Sequence, residues 1–295
     1  MTVEPRRPPA SPCVNVCVID EARQMCSGCA RTLDEIAVWA SADDAFRAQV
    51  WAALPRRAAA MGMRVRRLDW RGERLLDAVA DRFAAAVGTF VAGVYGAVAE
   101  VRRDPDEPYT LARNGFRLML ATARSALRID AQPWMTAFEI ARPDRAPLIA
   151  LAVPTGRAGA AGPAALTALG PDDDALLPRD AGGARFDLGL GRRAARFTIR
   201  CDGETAEAIA PHVGTPWSAC LGRIGAAVLR SSPVRVIETP CLRAEVDAVI
   251  PPPGGVSPDG PHTHLLPDYI AQGFDTPPTI PLPKDHVLTA LFYPT

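Results

Sequence analysis

Lysine is almost missing from this sequence of 295 residues, in which Lys284 is the one lysine among 33 basic residues. Aromatic residues are also sparse, at 6%, and the formal net charge is zero. Arginine replaces lysine throughout this chain, which is also rich in alanine and proline. Its abundance therefore reflects a bias of the whole composition and is weak evidence for phosphate binding. Hydrophobic residues make up 48% and charged residues 22%, which is typical of a folded globular protein and excludes a disordered one.

Two kinds of long hydrophobic segment are missing as well. The first twelve residues contain Arg6, Arg7 and four prolines where a secretory signal would have an apolar core. The longest uncharged run, residues 83–99, is seventeen residues long and just short of a transmembrane span. We therefore expect no membrane partner and a cytoplasmic location, where thiols stay reduced.

The common nucleotide and esterase motifs are absent. The sequence has no G-x-x-x-x-G-K-[ST] and no G-x-S-x-G. Gly189, Gly191 and Ala194 approximate a dinucleotide fingerprint, but a predicted strand follows them where that fold requires a helix. These patterns exclude nucleotide binding and serine esterase chemistry.

Four cysteines, in contrast, are crowded into seventeen residues. Cys13, Cys17, Cys26 and Cys29 have the spacing C-x3-C-x8-C-x2-C, which brings two thiolate pairs to one ion. Sulfur ligation of this kind suits either Zn²⁺ or an iron–sulfur cluster. Structural disulfides and free thiols are the alternatives, which the missing signal segment and the clustering disfavour. A four-cysteine site is saturated, so it would serve structure, contact with a protein partner or electron transfer.

The residues around the cysteines add a resemblance. The segment 11–39 also contains Asp20, Gly28, Arg31, Thr32, Glu35, Ile36 and Trp39. With these residues it resembles a small bacterial domain-of-unknown-function family labelled predicted iron–sulfur protein. The resemblance covers about sixty residues and implies a cluster, but it brings no assigned role.

The chain is predicted to have two domains and an α+β fold. Residues 1–69 form a small, metal-stabilised helical head, with a capping box at Thr32 and a second helix over 43–54 that Pro55 interrupts. An arginine-rich linker follows this second helix and leads to the domain boundary near residue 70. Residues 70–295 form a mostly antiparallel sheet domain with several helices, whose role the pattern leaves unknown.

Local signals place the elements of the second domain. A helix is predicted from Glu73 to Gly88, and Asn114-Gly115 predicts a hairpin. Residues 154–184 are predicted to form a long loop and residues 251–283 an extended proline-rich tail. In the strand 242–250 alternation predicts that Arg243 and Glu245 face solvent.

A histidine pair gives the second domain its best candidate for chemistry. His262 and His264 are two residues apart, so in an extended segment both side chains face one side. With Asp259, Asp268 or His286 they could form a second metal site or an acid–base pair. The alternative is that these histidines only cap strands or bond to backbone carbonyls.

A second resemblance covers residues 70–295. It is carried by residues 88–90, 96–100, 186–191, 260–267 and 292–294. With these residues the chain resembles an uncharacterised family of bacterial proteins, and the resemblance implies no activity, cofactor or catalytic residue.

The leading hypothesis is a metal-binding accessory or binding protein whose four-cysteine head holds an iron–sulfur cluster or Zn²⁺. One alternative is a metal-dependent enzyme that uses His262 and His264. Another is nucleic-acid binding through the basic stretch from Arg56 to Arg74, which the lack of stacking aromatics disfavours. Oligomeric state cannot be read from the sequence.

Overall fold

The computed structural model describes residues 12, 18–27, 29–62, 65–68, 70–160, 162–252 and 255–294. Cys13, Cys17 and Gly28 lie outside the described residues. The predictions made on those three residues therefore stay predictions.

The N-terminal segment has two short strands and two helices. Strand β1 (Ile19–Asp20) pairs with β2 (Met25–Cys26), and the helices are α1 (Leu33–Val38) and α2 (Asp44–Ala60). Thr32 Oγ1 accepts from the Glu35 amide at 3.1 Å, and the Glu35 carboxylate accepts from the Thr32 amide at 3.0 Å. The predicted capping box is confirmed.

Helix α2 is longer than predicted. It runs through position 55 to Ala60, because residues on both sides of that position are held in a common apolar cluster. Leu54, Ala58 and Met61 are buried in it together with Trp39. Tertiary packing of this kind can outweigh the helix hydrogen bond that a proline removes. A two-pronged ion pair from Arg57 to Glu35, at 2.6 and 2.8 Å, also joins α2 to α1.

Seven strands of the described chain form a first sheet. They are β3 (Val65–Arg67), β4 (Thr89–Val94), β5 (Ala97–Val101), β9 (Thr136–Arg142), β10 (Arg145–Pro154), β16 (His262–Leu265) and β17 (His286–Tyr293). Their spatial order is β16-β5-β4-β17-β10-β9-β3. One prediction is wrong here, because β3 forms where a linker was expected. The segment 251–283, predicted to be extended, contains the strand β16, followed by one short helix over Pro267–Ile270.

Eight further described strands form a second sheet. They are β6 (Thr110–Asn114), β7 (Arg117–Ala121), β8 (Ser125–Asp130), β11 (Thr167–Pro171), β12 (Ala184–Asp187), β13 (Arg196–Cys201), β14 (Val234–Thr239) and β15 (Leu242–Val246). Their order is β11-β12-β13-β14-β15-β8-β7-β6. The hairpin at Asn114-Gly115 is confirmed as the β6–β7 turn. Strand β11 lies in the segment 154–184, which was predicted to be a loop.

The main core lies between the two sheets. Strands β4 and β5 contact β14 and β15, and apolar side chains of both sheets share one buried cluster. Helices α3 (Gly72–Ala84), α4 (Gly203–Ile209) and α5 (Trp217–Ser231) pack against this cluster, and α6 (Pro267–Ile270) follows β16. Helix α3 ends four residues before Gly88, the predicted end of the helix, and Val87, which lies beyond the observed end, is exposed. The prediction of mixed helices with mostly antiparallel sheets is confirmed.

The outer face of the second sheet contains a buried charge network that the sequence did not reveal. Arg243 and Glu245, predicted to face solvent, are 1% and 0% exposed. Arg243 Nε donates to the Glu245 carboxylate at 2.7 Å, and Arg200 donates to Glu245 at 2.9 Å and to Asp172 at 2.7 Å. The segment 172–183 covers these groups, since the Glu245 carboxylate also accepts from the amides of Leu176 and Leu177.

Hydrogen bonds within this network keep the carboxyl group of Asp172 ionised. Burial alone would raise the pKa of Asp172, but the hydrogen bonds from Arg200 and Arg243 outweigh burial and leave that pKa below its usual value. Asp172 therefore stays ionised at neutral pH, as a partner for two buried guanidinium groups.

Candidate metal site

Two neighbouring strands at the edge of the first sheet bring three metal-ligating side chains together. In the antiparallel pair β5–β16, His262 lies opposite Glu100 and His264 lies opposite Val98. Side chains alternate along a strand, so His262 and His264 share a face with Glu100. Thr263 faces the other way, where its hydroxyl accepts from Arg235 Nε at 3.3 Å.

The three donor groups form a compact triangle. His262 Nε2 lies 2.8 Å from His264 Nε2, which lies 3.2 Å from Glu100 Oε1. His262 Nε2 and Glu100 Oε2 are 3.8 Å apart. The side chains are 13% (His262), 18% (His264) and 27% (Glu100) exposed, so the triangle is largely but not completely screened from solvent.

A backbone contact fixes the proton on one imidazole. His262 Nδ1 lies 2.9 Å from the carbonyl oxygen of Gly260, and a carbonyl oxygen can only accept. Nδ1 therefore carries the hydrogen, and in the neutral ring Nε2 presents its lone pair to the triangle. A metal-ligating histidine almost always makes such an outer hydrogen bond.

The charge state of Glu100 suits the same role. Burial acts to raise its pKa, but the hydrogen bond to His264 and the charges of His262, His264 and Arg102 lower the pKa further than burial raises it. Glu100 is therefore an ionised carboxylate at neutral pH. It supplies the negative charge that a divalent ion needs among neutral imidazoles.

The sequence predicted the two histidines but not the third donor. Asp259, Asp268 and His286 do not join the pair: His286 Nδ1 lies 2.9 Å from Asp285 Oδ1 and its ring packs edge-on against Phe138. Glu100 was visible only as the last residue of the segment 96–100. Its position beside His262 depends on the pairing of β5 with β16, and no local sequence pattern predicts that pairing.

In the cysteine segment, the structure describes two of the four predicted ligands. Cys26 and Cys29 are each 1% exposed and are not joined by a disulfide. The Cys29 pKa is raised by a hydrogen bond with Cys26 and by burial, against the opposing effect of Arg31. Arg31 Nε donates to Cys29 Sγ at 3.4 Å while its guanidinium stacks over Trp39.

Cys201, Cys220 and Cys241 are buried as well, and none has the features of a reactive thiol. Burial raises the pKa of Cys201 to about 12 and that of Cys241 to about 11. The Cys220 pKa is raised by burial as well. Thiols that stay protonated in this way are poor nucleophiles.

The comparisons with known proteins agree with both resemblances drawn from the sequence. A family model described as "Family of unknown function (DUF6925)" matches residues 74–295. A second, described as "Protein of unknown function (DUF1289)", matches residues 11–58. Neither the curated proteins nor the solved structures give a match. Among the helices of the described residues, none has the length and apolar character needed to cross a membrane.

Proposed function

This chain belongs to the DUF6925 family, whose function is unknown, and from its geometry we propose that it is a metal-dependent enzyme. Its centre is a divalent transition-metal site formed by Glu100, His262 and His264. The metal class is Zn²⁺ or Fe²⁺, because two imidazoles and one carboxylate are the donor sets of many catalytic zinc sites and of non-haem iron oxygenases.

The observation that carries this proposal is the size of the donor triangle. Ligand atoms about 2.1 Å from one ion lie roughly 3.0–3.4 Å apart in octahedral or tetrahedral geometry. Here the two Nε2 atoms are 2.8 Å apart, His264 Nε2 is 3.2 Å from Glu100 Oε1, and His262 Nε2 is 3.8 Å from the other carboxylate oxygen, Glu100 Oε2, so all three distances lie within a few tenths of an ångström of that range. An ion therefore fits between these atoms after side-chain shifts of a few tenths of an ångström.

Three protein donors leave coordination positions open, unlike a saturated four-cysteine site. An ion held this way supplies Lewis-acid activation of a water molecule or of a substrate oxygen. The chain's own residues then have separate roles. His262 is oriented by Gly260, Glu100 balances charge, and the screened face of the sheet limits access of bulk water.

Metal analysis of the His262→Ala/His264→Ala variant tests the proposal. We expect the variant to hold one divalent ion per chain fewer than the wild type after both are loaded with excess Zn²⁺ and desalted. The full-length chain is used, and circular dichroism checks that the fold survives. His212→Ala, a histidine in the short 3₁₀ helix that follows α4 and far along the chain from β16, is the matched control and should keep the wild-type metal content. Equal metal content in the double variant and the wild type would refute the site.

A second candidate function belongs to the N-terminal segment: a closed metal site formed by Cys13, Cys17, Cys26 and Cys29. It is supported by the burial and closeness of Cys26 and Cys29 and by the donor that Arg31 directs at the Cys29 sulfur. Donation from Arg31 opposes the increase in the Cys29 pKa, and a bound metal ion would itself deprotonate the thiol to the thiolate, which is the form that binds Zn²⁺ or an iron–sulfur cluster. This site would serve folding, contact with a protein partner or electron transfer, in addition to the proposed site formed by Glu100, His262 and His264.

Protein purified without oxygen tests the cysteine site. We expect Cys26→Ala/Cys29→Ala to lose one metal equivalent, or one cluster, independently of the histidine variant, because the two sites share no ligand. A brown wild-type sample with acid-labile sulfide would identify a cluster, and a colourless sample with zinc a structural ion. If the cysteine variant keeps every metal ion and all sulfide, the segment does not bind metal through these thiols.

A further inference from the structure

Arg31 is buried in the N-terminal segment, beside one of the predicted metal ligands. It is 5% exposed, and its Nε donates a hydrogen bond to Cys29 Sγ at 3.4 Å. Its guanidinium carbon lies over the Trp39 ring, 4.7 Å from the ring centroid, and Trp39 is itself buried. The planar guanidinium group therefore contacts an aromatic ring and a sulfur atom at once.

The backbone of the cysteine loop fixes the position of Arg31. The Cys26 amide donates to the carbonyl oxygen of Arg31 at 2.8 Å, and the Ala30 amide donates to the carbonyl oxygen of Cys26 at 2.7 Å. The next residue, Thr32, is the N-cap of α1 and closes its capping box. The loop that carries Cys26 and Cys29 therefore also determines where the guanidinium group lies relative to the sulfur.

Arg31 has no carboxylate partner, in contrast to three other arginines of the same segment. Those three form ion pairs with acidic side chains: Arg23 with Asp20, Arg47 with Asp44, and Arg57 with Glu35. Among the described residues no carboxylate forms an ion pair with Arg31, although it is the least exposed of the four. An arginine keeps its positive charge in a protein, and a buried charge without a counter-charge is costly. The counter-charge therefore has to come from another kind of group.

The sulfur ligands of a metal centre can supply that charge. Zn²⁺ held by four thiolates, or an oxidised iron–sulfur cluster held in the same way, has a net charge of about −2. A protonated thiol is neutral, so Arg31 is balanced only when Cys29 is a thiolate. A positive charge and an N–H donor at the sulfur stabilise the thiolate ligand, and they also stabilise an electron added to a cluster.

We infer that Arg31 is the counter-charge of a sulfur-ligated metal centre, and that it sets the metal affinity or the reduction potential of that centre through Cys29. The inference rests on the proposed cysteine site. It makes Arg31 a positioning residue, because Arg31 acts on the metal through a ligand and does not bind the metal itself. In a cluster, the positive charge favours the reduced form, which suits a centre that accepts electrons.

Full-length protein purified without oxygen tests the role of Arg31. If the sample contains a cluster, titration with dithionite gives its midpoint potential. We expect Arg31→Gln to lower the ratio of reduced to oxidised cluster about 10-fold at the wild-type midpoint, which is a shift of about 59 mV to more negative potential for one electron.

If the sample contains no cluster, cobalt(II) is the probe. The signal of the cysteine site is the absorption that is present in the wild type and missing from Cys26→Ala/Cys29→Ala. We expect Arg31→Gln to weaken cobalt binding at this site about 10- to 100-fold. The sulfur-to-cobalt absorption should also move to longer wavelength, because the sulfur electrons are held less tightly without the positive charge.

Arg47→Gln is the matched control. Arg47 also contacts Trp39, since its Nη2 donates to the Trp39 carbonyl oxygen at 3.2 Å, but its charge is paired with Asp44. The variant removes the same charge and should keep the wild-type potential, cobalt affinity and absorption. Arg31→Lys keeps the charge without the planar fork and should fall between the wild type and Arg31→Gln, which also covers the case in which Arg31→Gln does not fold.

Two results overturn the inference. One is a potential, or a cobalt affinity and absorption, that is the same in the wild type and in the Arg31 variants. The other is an equal shift in Arg47→Gln and Arg31→Gln. If Cys26→Ala/Cys29→Ala removes neither a cluster nor a cobalt signal, the cysteine site itself is wrong, and the role of Arg31 falls with it.

Discussion

The Glu245→Gln variant should unfold at a much lower urea concentration than the wild type, with a loss of about 3–5 kcal/mol in the free energy of unfolding. Glu245 is fully buried and accepts from Arg243 at 2.7 Å and from Arg200 at 2.9 Å. Glutamine keeps the shape but removes the charge, so Arg200, Arg243 and the neighbouring Arg185 would be left with only two carboxylates, those of Asp172 and Glu238, which is one negative charge too few.

The same substitution affects the segment that covers the network. Both carboxylate oxygens of Glu245 also accept backbone hydrogen bonds, from Leu176 at 3.0 Å and Leu177 at 2.9 Å. A glutamine amide has one acceptor oxygen in place of two, and its NH₂ group would point at another donor. We therefore expect the segment 172–183 to become more exposed to hydrogen exchange than the rest of the chain.

Glu207→Gln is the matched control, because Glu207 is exposed on α4. It removes the same charge and should change the stability by no more than about 0.5 kcal/mol. Urea unfolding of the two variants and the wild type at neutral pH provides the comparison. A loss below about 1 kcal/mol in Glu245→Gln would mean that the network contributes little and that water reaches it.

This network also shows what the sequence could and could not predict. Alternation in the strand 242–246 correctly predicted its two faces, since the side-chain period of a strand is a local property. The assignment of Arg243 and Glu245 to solvent was wrong, because the segment 172–183 that buries them lies about seventy residues earlier. A polar strand face predicts exposure to solvent only when no other segment of the chain covers that face.

The proposed metal site likewise has a part that the sequence could predict and a part that it could not. The placement of His262 and His264 on one face required only an extended backbone, and the structure supplies it in β16. Glu100 lies more than 160 residues earlier, and its approach depends on which strands pair. The Asn114-Gly115 hairpin, in contrast, was predictable because two adjacent residues fix the turn.

The Gly96→Ala variant should lose both stability and metal affinity, because Gly96 links the fold to the site. Gly96 lies in the turn between β4 and β5 with a φ of +97°, which disfavours any side chain. A Cβ there would lie 2.8 Å from the amide nitrogen of Ile270 and from Tyr269 Cβ. Both residues belong to α6, which directly follows β16, so a clash that displaces α6 also shifts His262 and His264.

Backbone strain of about 1–3 kcal/mol and overpacking of about 1–3 kcal/mol give an expected loss of about 2–6 kcal/mol. Displacement of the two proposed ligands, His262 and His264, should lower the affinity of their site for a divalent probe ion, cobalt(II), by about 10- to 100-fold. Gly170→Ala is the control that separates the two causes, since Gly170 has a φ of +82° but open space around its Cβ position. That variant should show the strain alone and normal cobalt binding. If Gly96→Ala binds cobalt as tightly as Gly170→Ala does, the packing of α6 on this turn does not position the histidines.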